Sequence, residues 1–306
     1  MIDLTQAKWE DHPANPMIQP PRPDWMAADP TVLTPDLSPD GKWHLFCNSV
    51  GYLRHYASDD GIVWDKLGGR ICRGIRPFIY HEDGVYYLIY ELHKPLWRSG
   101  IALRTSRDLI EWDEPQWLLR ASQTRDGSTI RFLGNPCLVK VDKEYRLYFS
   151  NGWIWLWDCL YFEPKYVGLA VGSSPVGPFE RRGEPLISPR AEHPYLNFGA
   201  GSIKVISDGE DGWWVFNNGI YKDGEGRSRS AIILLHTDDG VTFEQVVDKP
   251  IVAPEPGWKK AFVYAFDPVF YNDKWRLYYN ARDGWLRGSE RIGMAQAVLP
   301  KTQETK

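Results

Sequence analysis

Residues 76–91 read RPFIYHEDGVYYLIYE. A proline follows the opening arginine, an apolar run comes next, Asp83-Gly84 makes a turn, and an aromatic-rich run returns. Asp-Gly between such runs is a hairpin signal, because the favoured two-residue turn needs positive φ at both central positions. Four more segments share the plan: DPTVLTPDLSPDGKWHLFCN (29–48), NPCLVKVDKEYRLYFSN (135–151), GSIKVISDGEDGWWVFNN (201–218) and DPVFYNDKWRLYYN (267–280). A third strand follows each, in LRHYASDDG (53–61), IALRTSRDL (101–109), VGLAVGSSP (167–175), AIILLHTDDG (231–240) and RIGMAQAV (291–298). The first four then reach an aromatic residue, Trp64, Trp112, Phe179 or Phe243, and a fourth strand such as PLISP (185–189) or PIVAP (250–254).

The fifth unit stops after its third strand, and NPMIQP (15–20) has the character of the missing fourth. A strand from the N-terminus that completes the last unit closes a ring and removes two exposed edges. The repeat therefore predicts an all-β, five-bladed β-propeller with four antiparallel strands per blade. Its blades fall at about 29–72, 73–122, 132–190, 198–254 and 264–298, the last completed by 14–20.

Composition narrows the function classes. The 306 residues carry a net charge of -4 with no basic block, which argues against a nucleic-acid partner. No apolar stretch approaches the length of a membrane span. The N-terminus lacks the basic and apolar regions of a secretory signal, and Cys47, Cys72, Cys137 and Cys159 have no metal-type spacing. The expectation is a cytoplasmic protein with free thiols, its oligomeric state open. The 15 Trp and 16 Tyr suit the filling of sheet-to-sheet cores, with some rings left to stack on sugar faces.

In a propeller the first strand of each blade lines the central channel, and the second returns to the same mouth. First-strand starts are Asp29, Arg76, Asn135, Gly201-Ser202 and Asp267. Second-strand ends are Asn48, Glu91 with His93, Asn151, Asn217-Asn218, and Asn280 with Arg282 and Asp283. X-Pro at the strand start is a backbone device, but it leaves the polar ring at the second-strand ends unexplained. Asp29, Glu91 and Asp267 are the candidate catalytic carboxyls, beside Arg76 and Arg282. A carboxylate near arginine stays ionised and acts as a base, whereas one crowded by carboxylates or tryptophans rises in pKa and acts as an acid. His93, Asn135, Asn217, Asp283, Trp25 and Trp153 are candidate substrate-binding residues. Glu163 and Asp158 lie within reach, in the long loop of the third blade. The paired acids in SDDG (58–61) and TDDG (237–240) read as turn formers at the rim.

With Asp-Pro at the first inner strand and X-Pro at later ones, the repeat resembles the furanosidase-type glycoside hydrolases. These comprise family 43 (arabinanases, arabinofuranosidases, β-xylosidases) and the related fructosidase families. The resemblance implies that Asp29 is a general base. It implies a third-blade carboxylate that tunes the acid, where this chain has Asn135, and a fourth-blade general acid, where this chain reads GAGSIK (199–204). Glu91, Asp267 and His93 are then the candidates for a relocated acid, and Trp25, Trp153 and Trp155 for sugar-stacking walls. Cleavage would use two carboxyl groups on a furanose-like or unusual sugar, with Asp29 activating water in an inverting mechanism. No cofactor or catalytic metal is required, and a structural calcium at the channel centre stays open. Two other readings also stay open: a non-catalytic carbohydrate-binding propeller, and a glycoside phosphorylase with Arg76, Arg131 and Arg282 on phosphate.

Overall fold

The computed structural model describes residues 3–94, 98–121 and 132–299. It contains five four-stranded antiparallel sheets. From channel to rim, blade 1 runs Ala28–Leu33, Trp43–Ser49, Tyr52–Ser58, Asp65–Leu67. Blade 2 runs Ile75–Glu82, Val85–Lys94, Arg98–Ser106, Gln116–Leu119. Blade 3 runs Leu133–Val141, Glu144–Asn151, Tyr166–Gly172, Glu180–Arg181. Blade 4 runs Gly199–Ser207, Trp213–Lys222, Ser228–Thr237, Glu244–Gln245. Blade 5 runs Phe262–Tyr271, Lys274–Arg282, Glu290–Val298 and takes Lys8–Asp11 as its outer strand.

The N-terminus thus closes the ring, but through an earlier segment than NPMIQP. Lys8 to Asp11 pair with Val298 to Ala295. NPMIQP adds one isolated bridge, Ile18 to Ile292. PLISP and PIVAP behave alike, through Ile187 to Val167 and Val252 to Ile232. In each of these blades the outer strand is broken, its paired outer half lying upstream of the Pro-flanked segment. Proline is not required for the break, because blade 1 has the same isolated bridge, Tyr52 to Arg73, in a segment without one.

The core is divided among the seams between blades. Tyr278, Ile292 and Met294 of blade 5 pack with Val32, Trp43 and Leu45 of blade 1, which is the closure itself. Leu4, in a short 3-10 turn, is buried in the seam between blades 4 and 5. Trp64, Trp112, Phe179 and Phe243 each pack into a seam. The acid pairs form the rim turns expected of them: Asp60 Oδ1 accepts from the amides of Ile62 and Val63, and Asp239 Oδ1 from those of Val241 and Thr242. These turns also clasp the preceding blade. Tyr278 donates to the Gly61 carbonyl and Tyr148 to the Gly240 carbonyl.

Candidate functional site

Every inner strand carries a β-bulge near the mouth, where two residues face one on the second strand. The bulges fall at Asp29-Pro30, Arg76-Pro77, Asn135-Pro136, Gly201-Ser202 and Tyr264-Ala265. Asp29, Arg76 and Asn135 there have φ of 54°, 54° and 47°. Left-handed backbone is uncommon for a non-glycine residue and most unusual for an arginine, and such conformations gather at functional sites. Side chains from the preceding blade brace two of these bulges. Asn280 Oδ1 accepts from the Asp29 amide at 3.0 Å, and Asn48 Oδ1 from the Arg76 amide at 2.8 Å. The polar ring at the second-strand ends is therefore partly scaffolding.

All five bulges line one cavity of about 500 Å³, its open mouth included. Asp29, Arg76, Asn135, Ser202, Asn218 and Asn280 face it, together with Glu163, Glu290 and Tyr161. A side cleft shares Arg76 and Glu163 with it and is lined by Phe132, Trp153, Phe162, Glu91 and Ser150.

Glu91 is buried and its carboxylate is held by Arg76 Nη1 at 2.7 Å and His93 Nε2 at 3.1 Å. Burial pushes its pKa up, but Arg76 and His93 outweigh that and hold it at about 2. Paired in this way, Glu91 anchors Arg76, and its lowered pKa does not suit a proton donor. Gly134 makes room for it, since a β-carbon there would collide with Glu91 Oε2.

Two other carboxyls in the cavity are raised above the usual carboxylate range. Glu163 ends a short hairpin inserted between the second and third strands of blade 3, Ile154–Leu156 and Tyr161–Glu163. Burial pushes it up to about 7, with Asp29 adding to the rise and Arg76 and Arg282 opposing it. Glu290, the first residue of the third strand of blade 5, is pushed up to about 8 by burial and by Asp29. Asn280 Nδ2 donates to Glu290 Oε2 at 3.4 Å, and Arg282 Nη1 lies 3.9 Å from Glu290 Oε1. Asp29 is itself raised by burial, while Arg76 and a hydrogen bond from Asn48 favour its charged form.

Asp267 stands elsewhere. Blade 5 places its bulge at Tyr264, three residues earlier, so Asp267 falls deeper in the inner strand, opposite Tyr278. Its Oδ2 accepts from the Val32 amide at 2.6 Å and Thr31 Oγ1 at 3.0 Å, and Lys204 Nζ lies 3.6 Å from Oδ1. The group ties blades 4, 5 and 1 below the cavity rather than lining it. Lys204 lies in the channel there, its ammonium over the Phe78 ring. Among the described residues, no group of three or more His, Cys, Asp or Glu could hold a metal ion.

The remaining candidates divide as follows. Asn135 faces the cavity and donates to Ser150 Oγ. Asn217 is fully buried and donates to the Ser202 carbonyl, while its neighbour Asn218 faces the cavity. Alternation along the strand decides between them. Trp153 walls the side cleft, and Trp25 is an exposed rim ring 6.0 Å from the Arg282 guanidinium. His93 is half exposed behind Glu91. Asp283 pairs with Arg291 and accepts from the Ser289 amide, which makes it a loop staple. Asp158 tips the inserted hairpin and bonds to Ser228. Arg131 lies outside the described residues. Glu290 is the cavity carboxyl that sequence reasoning missed: nothing local marks it, and only the pairing of Arg282 with Glu290 brings it to the mouth.

No protein-family model matches the chain. No curated protein matches it either. Solved structures do. It is similar to a thermostable family-43 glycoside hydrolase, with a TM-score of 0.66, 11% identity and 90% of each chain covered. It is similar to a GH62 hydrolase in complex with xylotriose, with a TM-score of 0.66 and 14% identity over 95% of this chain and 98% of that one. A third is an N-acetylgalactosamine deacetylase from F. plautii in complex with blood group B trisaccharide, with a TM-score of 0.65 and 14% identity over 95% of each chain. At these identities the likeness is one of architecture: the chain has the five-bladed propeller fold of the family 43 and family 62 glycoside hydrolases.

Proposed function

We propose that the protein is a glycoside hydrolase in which Asp29 is the general base and Glu163 the general acid. The observation that carries this reading is the meeting of Asp29, Glu163 and Glu290 around Arg76 in a single cavity. Asp29 stands on blade 1, next to a cation that favours its charged form. Glu163 comes from blade 3, and a value of about 7 suits a proton donor working near neutrality. It also stands where the main cavity meets the side cleft. A sugar in the cavity and its leaving group in the cleft, against Trp153, would present the bridging oxygen to Glu163. Asp29 then activates water on the other face of the sugar, and the anomeric configuration inverts. Glu290, raised still further, keeps its proton and spares the site one more negative charge. The substrate is a furanose-like or unusual sugar glycoside, and the reaction needs no cofactor. The carboxyls absent at Asn135 and Gly201 are thus replaced by groups from a loop and from blade 5.

The test is a panel of nitrophenyl furanosides and pyranosides, run with wild type, Asp29→Asn and Glu163→Gln. Loss of the general acid hurts poor leaving groups most. Glu163→Gln should therefore lose turnover on an alkyl or sugar aglycone and retain it on a glycosyl fluoride, which leaves unprotonated. Wild-type activity should fall as pH rises past about 7, where Glu163 loses its proton. Equal activity in all three proteins removes both residues from the mechanism. Sugar binding without turnover returns the protein to a binding module, phosphate-dependent turnover to a phosphorylase, and acetate release from N-acetyl sugars to the chemistry of the F. plautii neighbour.

A further inference from the structure

Glu163 rides on a hairpin that belongs to no blade. Among the described residues its two strands pair only with each other, Ile154 with Glu163 and Leu156 with Tyr161. A two-stranded hairpin alone is marginal in water, so something else must hold it in place. Ile154, Leu156 and Cys159 pack onto Ile220 of blade 4 and Phe262 and Tyr264 of blade 5. Apolar contact is non-directional and does not fix where along that surface the hairpin sits.

A polar clasp at the tip does. Asp158 Oδ2 accepts from the Ser228 amide at 2.6 Å, and Oδ1 accepts from Ser228 Oγ at 2.5 Å. Lys222 Nζ donates to Ser228 Oγ at 2.7 Å and lies 3.7 Å from Asp158 Oδ1. The Ser228 carbonyl takes a hydrogen bond from Trp285 Nε1 of blade 5 at 2.8 Å. Ser228 is inaccessible to solvent, so one buried residue joins the hairpin to blades 4 and 5. Burial pushes the Asp158 carboxyl up, but the two donations from Ser228 and then Lys222 outweigh it and leave it below the usual carboxylate range. The clasp is thus ionised, and charge-assisted bonds of this kind are both strong and directional.

We propose that Asp158 is a positioning residue, whose clasp on Ser228 seats the hairpin and with it the Glu163 carboxyl in the cavity. This inference rests on the reading of Glu163 as the general acid. Seated there, Glu163 faces Asp29 of blade 1, Arg76 of blade 2, and Arg282, Glu290 and Tyr264 of blade 5, with Tyr161 beside it on its own strand. When the tip is released, water enters beneath the hairpin and Glu163 returns toward the ordinary carboxylate range.

The experiment compares wild type, Asp158→Ala, Asp158→Asn and Glu163→Gln on the glycoside found by the screen and on the matching glycosyl fluoride. Asp158→Ala should lower kcat on the glycoside by about 10- to 100-fold, the scale of a small misplacement of a reacting group. KM should stay within about threefold, and the alkaline limb of the pH profile should move to lower pH. Turnover of the fluoride should persist. Asp158→Asn, which keeps an acceptor for Ser228, should fall between Asp158→Ala and wild type. Hydrogen exchange should rise across residues 153–163 and not in the inner strands. A purely structural clasp would lower the melting temperature yet leave kcat per folded molecule and the alkaline limb unchanged, and that result overturns the inference. If Glu163→Gln is impaired while Asp158→Ala matches wild type, only the clasp fails. If Glu163→Gln cleaves the glycoside as fast as wild type, the reading of the acid fails and the inference falls with it.

Discussion

Asp29-Pro30 and Asp267-Pro268 are the same dipeptide, on the inner strands of two blades that closure makes neighbours, and they stand at different depths. Asp29 occupies the bulge of its strand, at the mouth. Asp267 comes three residues after the start of its bulge and is hydrogen-bonded within the channel wall. The difference shows what the X-Pro pair does here. Proline at the bulge accompanies a left-handed residue that turns a side chain into the cavity, as at Asp29, Arg76 and Asn135. Proline past the bulge leaves an ordinary strand, in which a buried carboxylate needs partners to persist.

The sharpest way to break this comparison is to remove each carboxylate in turn. Asp29→Asn should lower kcat by about 10²- to 10⁴-fold, the usual yield of one acid/base group. Asparagine tolerates the left-handed backbone, so the melting temperature should hold. Asp267→Ala should do the reverse. It strands the Val32 amide, the Thr31 hydroxyl and the Lys204 ammonium, and losing one partner of such a buried pair costs about 3–5 kcal/mol. Urea denaturation reads that loss, and kcat per folded molecule should be unchanged. A stable, inactive Asp267→Ala protein would return Asp267 to the mechanism.

The repeat plan was legible because hairpin turns, X-Pro starts and returning aromatic strands recur, and the ring follows from a missing outer strand. Depth along each strand was not. A bulge shifts the register without altering the apolar pattern, so the pattern shows that a strand exists but not which residue of it meets the mouth. The interval from the dipeptide to the hairpin turn carried a partial signal. Arg76 and Asn135 precede Asp83 and Asp142 by the same interval, whereas Asp267 stands nearer to its turn at Asn272. The same uncertainty separates Asn217 from Asn218. Glu163 was within reach as a loop residue, but its burial depends on how the inserted hairpin folds back. Glu290 lies at the start of a strand with no local mark, and only cross-strand pairing brings it to the cavity.

A milder effect sharpens the comparison through pH. Burial raises Asp267 as well, but Lys204 and the donors from Val32 and Thr31 oppose the rise, while Glu290 is driven mainly by desolvation, from an ordinary 4.5 to about 8. Between those values the folded protein binds a proton that the unfolded chain releases. Stability is therefore lost as pH rises through that window, and the loss is complete above it. Glu290→Gln removes the titrating group. It should raise the melting temperature relative to wild type above about pH 9 and leave it nearly unchanged below about pH 4. Calorimetry at the two pH values checks both halves. An equal gain at both would mean that packing, not ionisation, sets the effect.

The smallest effect probes why Asp29 is at the mouth at all. Its amide cannot join the ladder at the bulge and donates instead to Asn280 Oδ1 from blade 5. Asn280→Ala leaves that N–H without its partner, a loss of about 1–3 kcal/mol, or less where water replaces the acceptor. If the brace holds the left-handed turn, kcat should fall by more than the stability loss alone explains, because the carboxylate drifts from its place. Asn218 on blade 4 supplies the control. It donates to the Val263 carbonyl and stands beside Gly201, a bulge with no carboxylate. Asn218→Ala should therefore cost comparable stability with a smaller fall in kcat. Equal falls in the two variants would mean that the rim acts as one rigid ring, and that Asp29 owes its position to closure rather than to its own brace.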